Sequence, residues 1–243
     1  YNMIMTETEE KTNKHFIRLN PDAEVRRGCL KYFLAAAILL CGVYLSELFH
    51  LLENLFLAHS FYGNFSKIVF AVSSSLYMLA FFVLFHFVLK KKTGITPFEK
   101  HETKLSYKRI AVLYIMTVVP VLAVGMALNF QFKIVFELGE KVTGVTVASN
   151  LCMYVNAAMK LFCAIYFIFL AETGFRKLFV GGKYVPYGGI SLLLTFGLIE
   201  FFVTASAFSW LYLFLCLYYG LIWMVSGQRF WLTYCLAVIL YVL

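Results

Sequence analysis

The sequence predicts an all-α, polytopic transmembrane helical bundle, and three features carry that prediction. Hydrophobic residues make up 62% of the chain and charged ones 14%, against about 45–50% and about 25% in a soluble domain. So few charges cannot keep that much apolar surface in water. Apolar runs of about 20 residues recur along the chain, the length a helix needs to cross about 30 Å of hydrocarbon at about 1.5 Å per residue. The cations, finally, collect in short segments that flank these runs on alternate sides.

The elements follow in order. Residues 1–27 read as a cytoplasmic N-terminal segment and residues 28–243 as the transmembrane helical domain. Residues 1–19 show no apolar period and read as a loosely ordered tail. They lack the basic start and short apolar core of a cleaved signal, so the first helix is expected to direct its own insertion. Asn20 and Pro21 look like a helix N-cap and first helical position, with Asp22 and Glu24 suited to the positive end of the dipole. Six spans are expected, at 30–50, 68–89, 110–130, 145–171, 190–208 and 210–226. The segment 230–243 forms a seventh candidate, short for a crossing. Pro120 should kink the third span by freeing a carbonyl. Thr96, Pro97 and Glu99 make a capping box that predicts a short amphipathic helix before it. Pro186, Gly188 and Gly189 mark the turn into the fifth.

Charge placement gives orientation and partners. Six cations precede or open the first span, seven lie between Lys90 and Arg109, three between 172 and 187, and one is Arg229, whereas Lys67, Lys133 and Lys141 fall on the other side. By the positive-inside rule the N-terminus and the large basic loops are cytoplasmic. A net charge of +8 distributed in this way answers to anionic lipid headgroups rather than to nucleic acid. The basic loop holding Lys90, Lys91, Lys92, Lys100, Lys104, Lys108 and Arg109 is where such lipid or a cytoplasmic partner is expected to dock, and the chain is expected to join a partner subunit or a homo-oligomer.

Two polar groups stand out against the apolar background. Lys160 is as many positions from the cytoplasmic end of the fourth span, at 171, as Glu200 is from that of the fifth, at 190, to within one. Near-equal counts on consecutive antiparallel helices predict similar depth and hence an intramembrane ion pair. Asn156, one turn before Lys160, and Thr204, one turn after Glu200, extend each polar position along its helix face. The second group is Glu47, His50 and Asn54 at i, i+3 and i+7, with Glu53 beside them at the outer interface. That spacing suits acid–base partners or the beginning of a metal site, although no second such helix completes one.

The six cysteines form no CxxC pair and no metal-ligand spacing. There is no HExxH, no GxSG with a paired histidine and no nucleotide-binding loop. The sequence therefore names neither a cofactor nor a metal, and leaves open whether the chain is an enzyme. The expected role is a non-enzymatic membrane subunit that moves a small solute or ion, or that anchors and regulates a complex. The alternative is an intramembrane enzyme using Glu47 and His50 on a lipid-like or peptide substrate.

Overall fold

The structure is a computed structural model that describes residues 17–56, 63–98, 105–127, 144–182, 184–204 and 209–242. The described chain is all-α apart from two short strands. In order it comprises β1 (Arg18–Leu19), α1 (Ala23–Phe56), α2 (Gly63–Thr93), α3 (Tyr107–Ala127), α4 (Gly144–Leu178) and β2 (Phe179–Val180). Then come α5 (Tyr187–Leu192), a π-helical turn at Leu193–Gly197, α6 (Leu198–Thr204), α7 (Ser209–Val225) and α8 (Phe230–Val242).

Among the described residues three helical stretches, Ala23–Leu48, Ser66–Thr93 and Val147–Leu178, are long and apolar enough to cross a membrane, and three shorter apolar helices cover Tyr187–Phe202, Leu213–Val225 and Phe230–Val242. This is the pattern of a membrane protein. The long helices overrun the expected spans. α1 runs from 23 to 56 rather than 30 to 50, and α4 to 178 rather than 171. Helical hydrogen bonding in flanking polar residues costs nothing extra where water or headgroups solvate the side chains, so composition alone marks the hydrocarbon and not the helix end. α3 continues through Pro120. The expected capping box is present only as Thr96 Oγ1 accepting the N–H of Phe98 at 3.3 Å; residues 99–104, with Glu99, Lys100 and Lys104, lie outside the described residues.

The start of α1 differs from the expectation in an instructive way. Asp22 is the immediate cap of the helix: its carboxylate accepts the N–H groups of Glu24 at 2.8 Å and Val25 at 3.3 Å. Asn20 Oδ1 accepts the N–H of Asp22 at 3.0 Å just before it, and its donors reach further. Its amide donates to the carbonyl of Lys177 at 3.2 Å and its backbone N–H to that of Leu178 at 2.8 Å, so it satisfies orphan carbonyls at the end of α4. β1 and β2 pair antiparallel beside it, with Arg18 opposite Val180 and Leu19 opposite Phe179. The segment read as a loose tail is thus pinned at residues 18–20.

The chain divides into two compact units. The first holds residues up to Ala37 and Phe167–Met224; the second holds Ile38–Tyr166 and Val225–Leu243. In the first, Phe33 stacks edge-on against Phe175 at 4.7 Å, and the core is Tyr32, Ile168, Leu170, Ile222 and Trp223. Gly189 meets Gly220 there, backbone against backbone: a Cβ on Gly189 would stand 2.8 Å from the Gly220 Cα. In the second, Leu39, Phe70, Met78, Ile165 and Tyr166 are buried, and α8 packs on α3. Phe98 sits among the rings of Phe230 at 4.9 Å, His86 at 5.0 Å and Trp231 at 5.6 Å, which anchors the loop after α2.

Candidate functional site

The second unit contains an ion pair within its apolar helices. Lys160 Nζ lies 2.5 Å from Glu47 Oε1, with 28% and 33% of the respective side chains exposed. Lys160 therefore finds its carboxylate on α1. The partner expected from the sequence, Glu200, belongs to the other compact unit, on α6, one turn beyond Gly197, against which Cys216 Sγ packs. The side chain of Thr204 lies outside the described residues.

Why a pair forms here follows from the cost of a lone charge. An ammonium or carboxylate within hydrocarbon costs at least about 2.5–3.5 kcal/mol, and pairing offsets much of it. Three donors on the ammonium and two acceptor oxygens on the carboxylate make the contact a charge-assisted hydrogen bond as well.

Polar groups from neighbouring helices surround that pair in sequence. Asn156, 2% exposed and one turn before Lys160, turns its amide across to α2, donating to the Ala71 carbonyl and to Ser75 Oγ, each at 3.4 Å. Ser75 passes its own proton back to the Ala71 carbonyl at 2.6 Å. Tyr234 on α8 donates to the carbonyl of Ala158 at 3.3 Å. On α1, the hydroxyl of Ser46, beside Glu47, is fully buried and bonds the Val43 carbonyl at 2.6 Å. The hydroxyls of Ser74 and Ser149 are buried and have no hydrogen-bond partner among the described residues. Four helices thus bring polar side chains to one unit; Ser46 and Ser75 bond back to their own helix, as small hydroxyl residues do in hydrocarbon, while Asn156 and Tyr234 reach across to another.

The outer cluster is only partly placed. Glu47 is committed to Lys160, while the backbones of His50, Glu53 and Asn54 continue α1 and their side chains lie outside the described residues. Of the basic loop, Lys90, Lys91 and Lys92 form the last turn of α2, where they favour the negative end of its dipole. Lys108 and Arg109 lie in the first turn of α3. Among the described residues no group of three or more His, Cys, Asp or Glu is arranged to hold a metal ion.

A second buried charge escaped the sequence reading. Glu172, 2% exposed, accepts from Arg176 Nε at 2.6 Å through Oε1 and from the backbone N–H of Gly188 at 2.7 Å through Oε2. The guanidinium closes the contact again through a second nitrogen at 2.6 Å. Pro186 precedes α5 without a side-chain cap of its own, so Glu172 supplies the cap from another helix. The i, i+4 spacing of Glu172 and Arg176 was the available signal, because that pairing works only if the helix continues past 171.

Comparison with protein families, curated proteins and solved structures finds no match to this chain.

Proposed function

We propose that this protein crosses the membrane six times, with α8 as a short further segment, that its N-terminus is cytoplasmic, and that it moves a small ion or solute past the Glu47–Lys160 pair. The alternation of cations along the chain supports the orientation. The observation that carries the transport reading is the pair itself: two opposite charges among apolar helices that keep 28% and 33% exposure. Charged side chains within membrane helices pair with one another or face a water-filled cavity, and they mark paths for ions and polar solutes. The same observation favours transport over an enzyme at the outer face, since it commits the Glu47 carboxylate to Lys160.

Purified protein in proteoliposomes tests the reading. Osmotic swelling with neutral, anionic and cationic small solutes, together with a trapped pH-sensitive dye under an imposed potential, reports solute and proton movement. Flux above protein-free vesicles is expected for at least one probe, with an at least tenfold loss, about 1.4 kcal/mol, in Glu47→Gln and Lys160→Met. Wild-type protein that passes none of the probes overturns it.

A further inference from the structure

In the first compact unit two ammonium groups converge on one aromatic ring. Lys31 Nζ stands 5.6 Å from the centroid of Tyr32, and Lys177 Nζ stands 4.8 Å from the same centroid. The lysines come from different helices, α1 and the last turn of α4. Neither has an acidic partner among the described residues, although acids are at hand nearby. Glu172 is taken by Arg176 and Gly188, and Asp22 caps α1. Tyr32 is 8% exposed, so its ring is fixed and the ammoniums are drawn to it from outside. Two like charges gathered at one ring repel, and cation–π attraction of about 0.5–1 kcal/mol each at exposed sites offsets this only in part. An anion between or beside them completes the balance.

The surface next to these lysines selects the anion. On α1, Arg27 and Lys31 are one turn apart and Leu34 follows one turn later, all three exposed on one helix face. Leu30 and Leu34 are 69% and 60% exposed. Cations therefore give way to bare leucine along a single stripe, the order in which a lipid presents its phosphate and then its acyl chains. A soluble phosphate compound would leave the leucines uncovered.

We propose that Lys31 and Lys177, held at Tyr32 and assisted by Arg27, bind the phosphate headgroup of an anionic lipid whose acyl chain lies along Leu30 and Leu34. The site is independent of the transport reading, since it shares no residue with the Glu47–Lys160 pair.

Native mass spectrometry of the full chain, purified in mild detergent and offered equal phosphatidylglycerol and phosphatidylcholine, tests the site. Wild-type protein is expected to retain phosphatidylglycerol preferentially. Lys31→Gln with Lys177→Gln should weaken that retention about tenfold or more, given the strength with which each lysine attracts an anionic headgroup. Lys31→Arg with Lys177→Arg should keep it. Lys11→Gln with Lys14→Gln, which removes the same charge from the N-terminal segment, should also keep it. Equal losses in the two glutamine double variants, or no preference in the wild type, overturn the proposal. Should the Lys31/Lys177 variant fail to fold, amine-reactive labelling of the wild type decides. Phosphatidylglycerol, unlike phosphatidylcholine, is expected to shield both lysines, and unchanged labelling overturns the site. Glycerol 3-phosphate at millimolar concentration should not displace the retained lipid; displacement would assign the site to soluble phosphates and overturn the lipid.

Discussion

Glu47 on α1 and Lys160 on α4 pair at 2.5 Å within the second unit, each about a third exposed. Removing one partner of a buried pair costs about 3–5 kcal/mol, and the partial exposure here lowers the expected loss to about 1–3 kcal/mol. Glu47→Gln and Lys160→Met should each lower the midpoint of thermal unfolding in detergent. Exchanging the charges, Glu47→Lys with Lys160→Glu, should recover at least half of the loss. A double exchange no better than the worse single variant would mean that the contact contributes little.

The sequence reading compared depth only between consecutive helices, which pointed Lys160 to Glu200 and left α1, with Glu47, out of the search. Composition made the all-α membrane class legible, because the apolar excess has no soluble solution, and it located the three long helices to within several residues at each end. Helix ends were not legible. Asp22 and Asn20 both carry capping side chains and both use them, Asp22 on Glu24 and Asn20 on Asp22, but nothing local says that Asn20 also donates to the carbonyls of Lys177 and Leu178, distant in sequence. Polar reach across helices was half legible: Asn156 was singled out as polar, but nothing local says that it turns to Ala71 and Ser75 on α2.

Glu172 ties three groups together, and its two oxygens separate their contributions. Glu172→Gln keeps an acceptor for the N–H of Gly188 but loses the negative charge that faces Arg176, and is expected to cost about 1–3 kcal/mol, the worth of a charged hydrogen bond. Glu172→Ala loses both and leaves a guanidinium without its buried counter-charge, for which about 3–5 kcal/mol is expected. Hydrogen exchange at the Gly188 amide distinguishes them: it should stay protected in Glu172→Gln and accelerate in Glu172→Ala. Equal exchange rates in the two variants would show that the carboxylate does not cap α5.

The contact between α5 and α7 rests on two glycines, and it gives the sharpest test of the packing. A Cβ added at Gly189 would meet the Gly220 Cα at 2.8 Å and the carbonyl oxygens of Cys216 and Leu217 at 3.2 Å. All three are backbone, so no rotamer change relieves the overlap and the helices themselves must separate. Overpacking of this kind costs about 1–3 kcal/mol or more, and in hydrocarbon, where close backbone approach replaces the hydrophobic effect as the source of helix association, little offsets it. Gly189→Ala and Gly220→Ala should each lower thermal stability by that amount. Gly28 supplies the opposite sign. It lies inside α1 with no atom within 4 Å of the added methyl, so Gly28→Ala should stabilise by about 0.5–1 kcal/mol through helix propensity alone. If all three alanine variants shift the unfolding midpoint in the same direction, the close approach of Gly189 and Gly220 is not what holds these helices together.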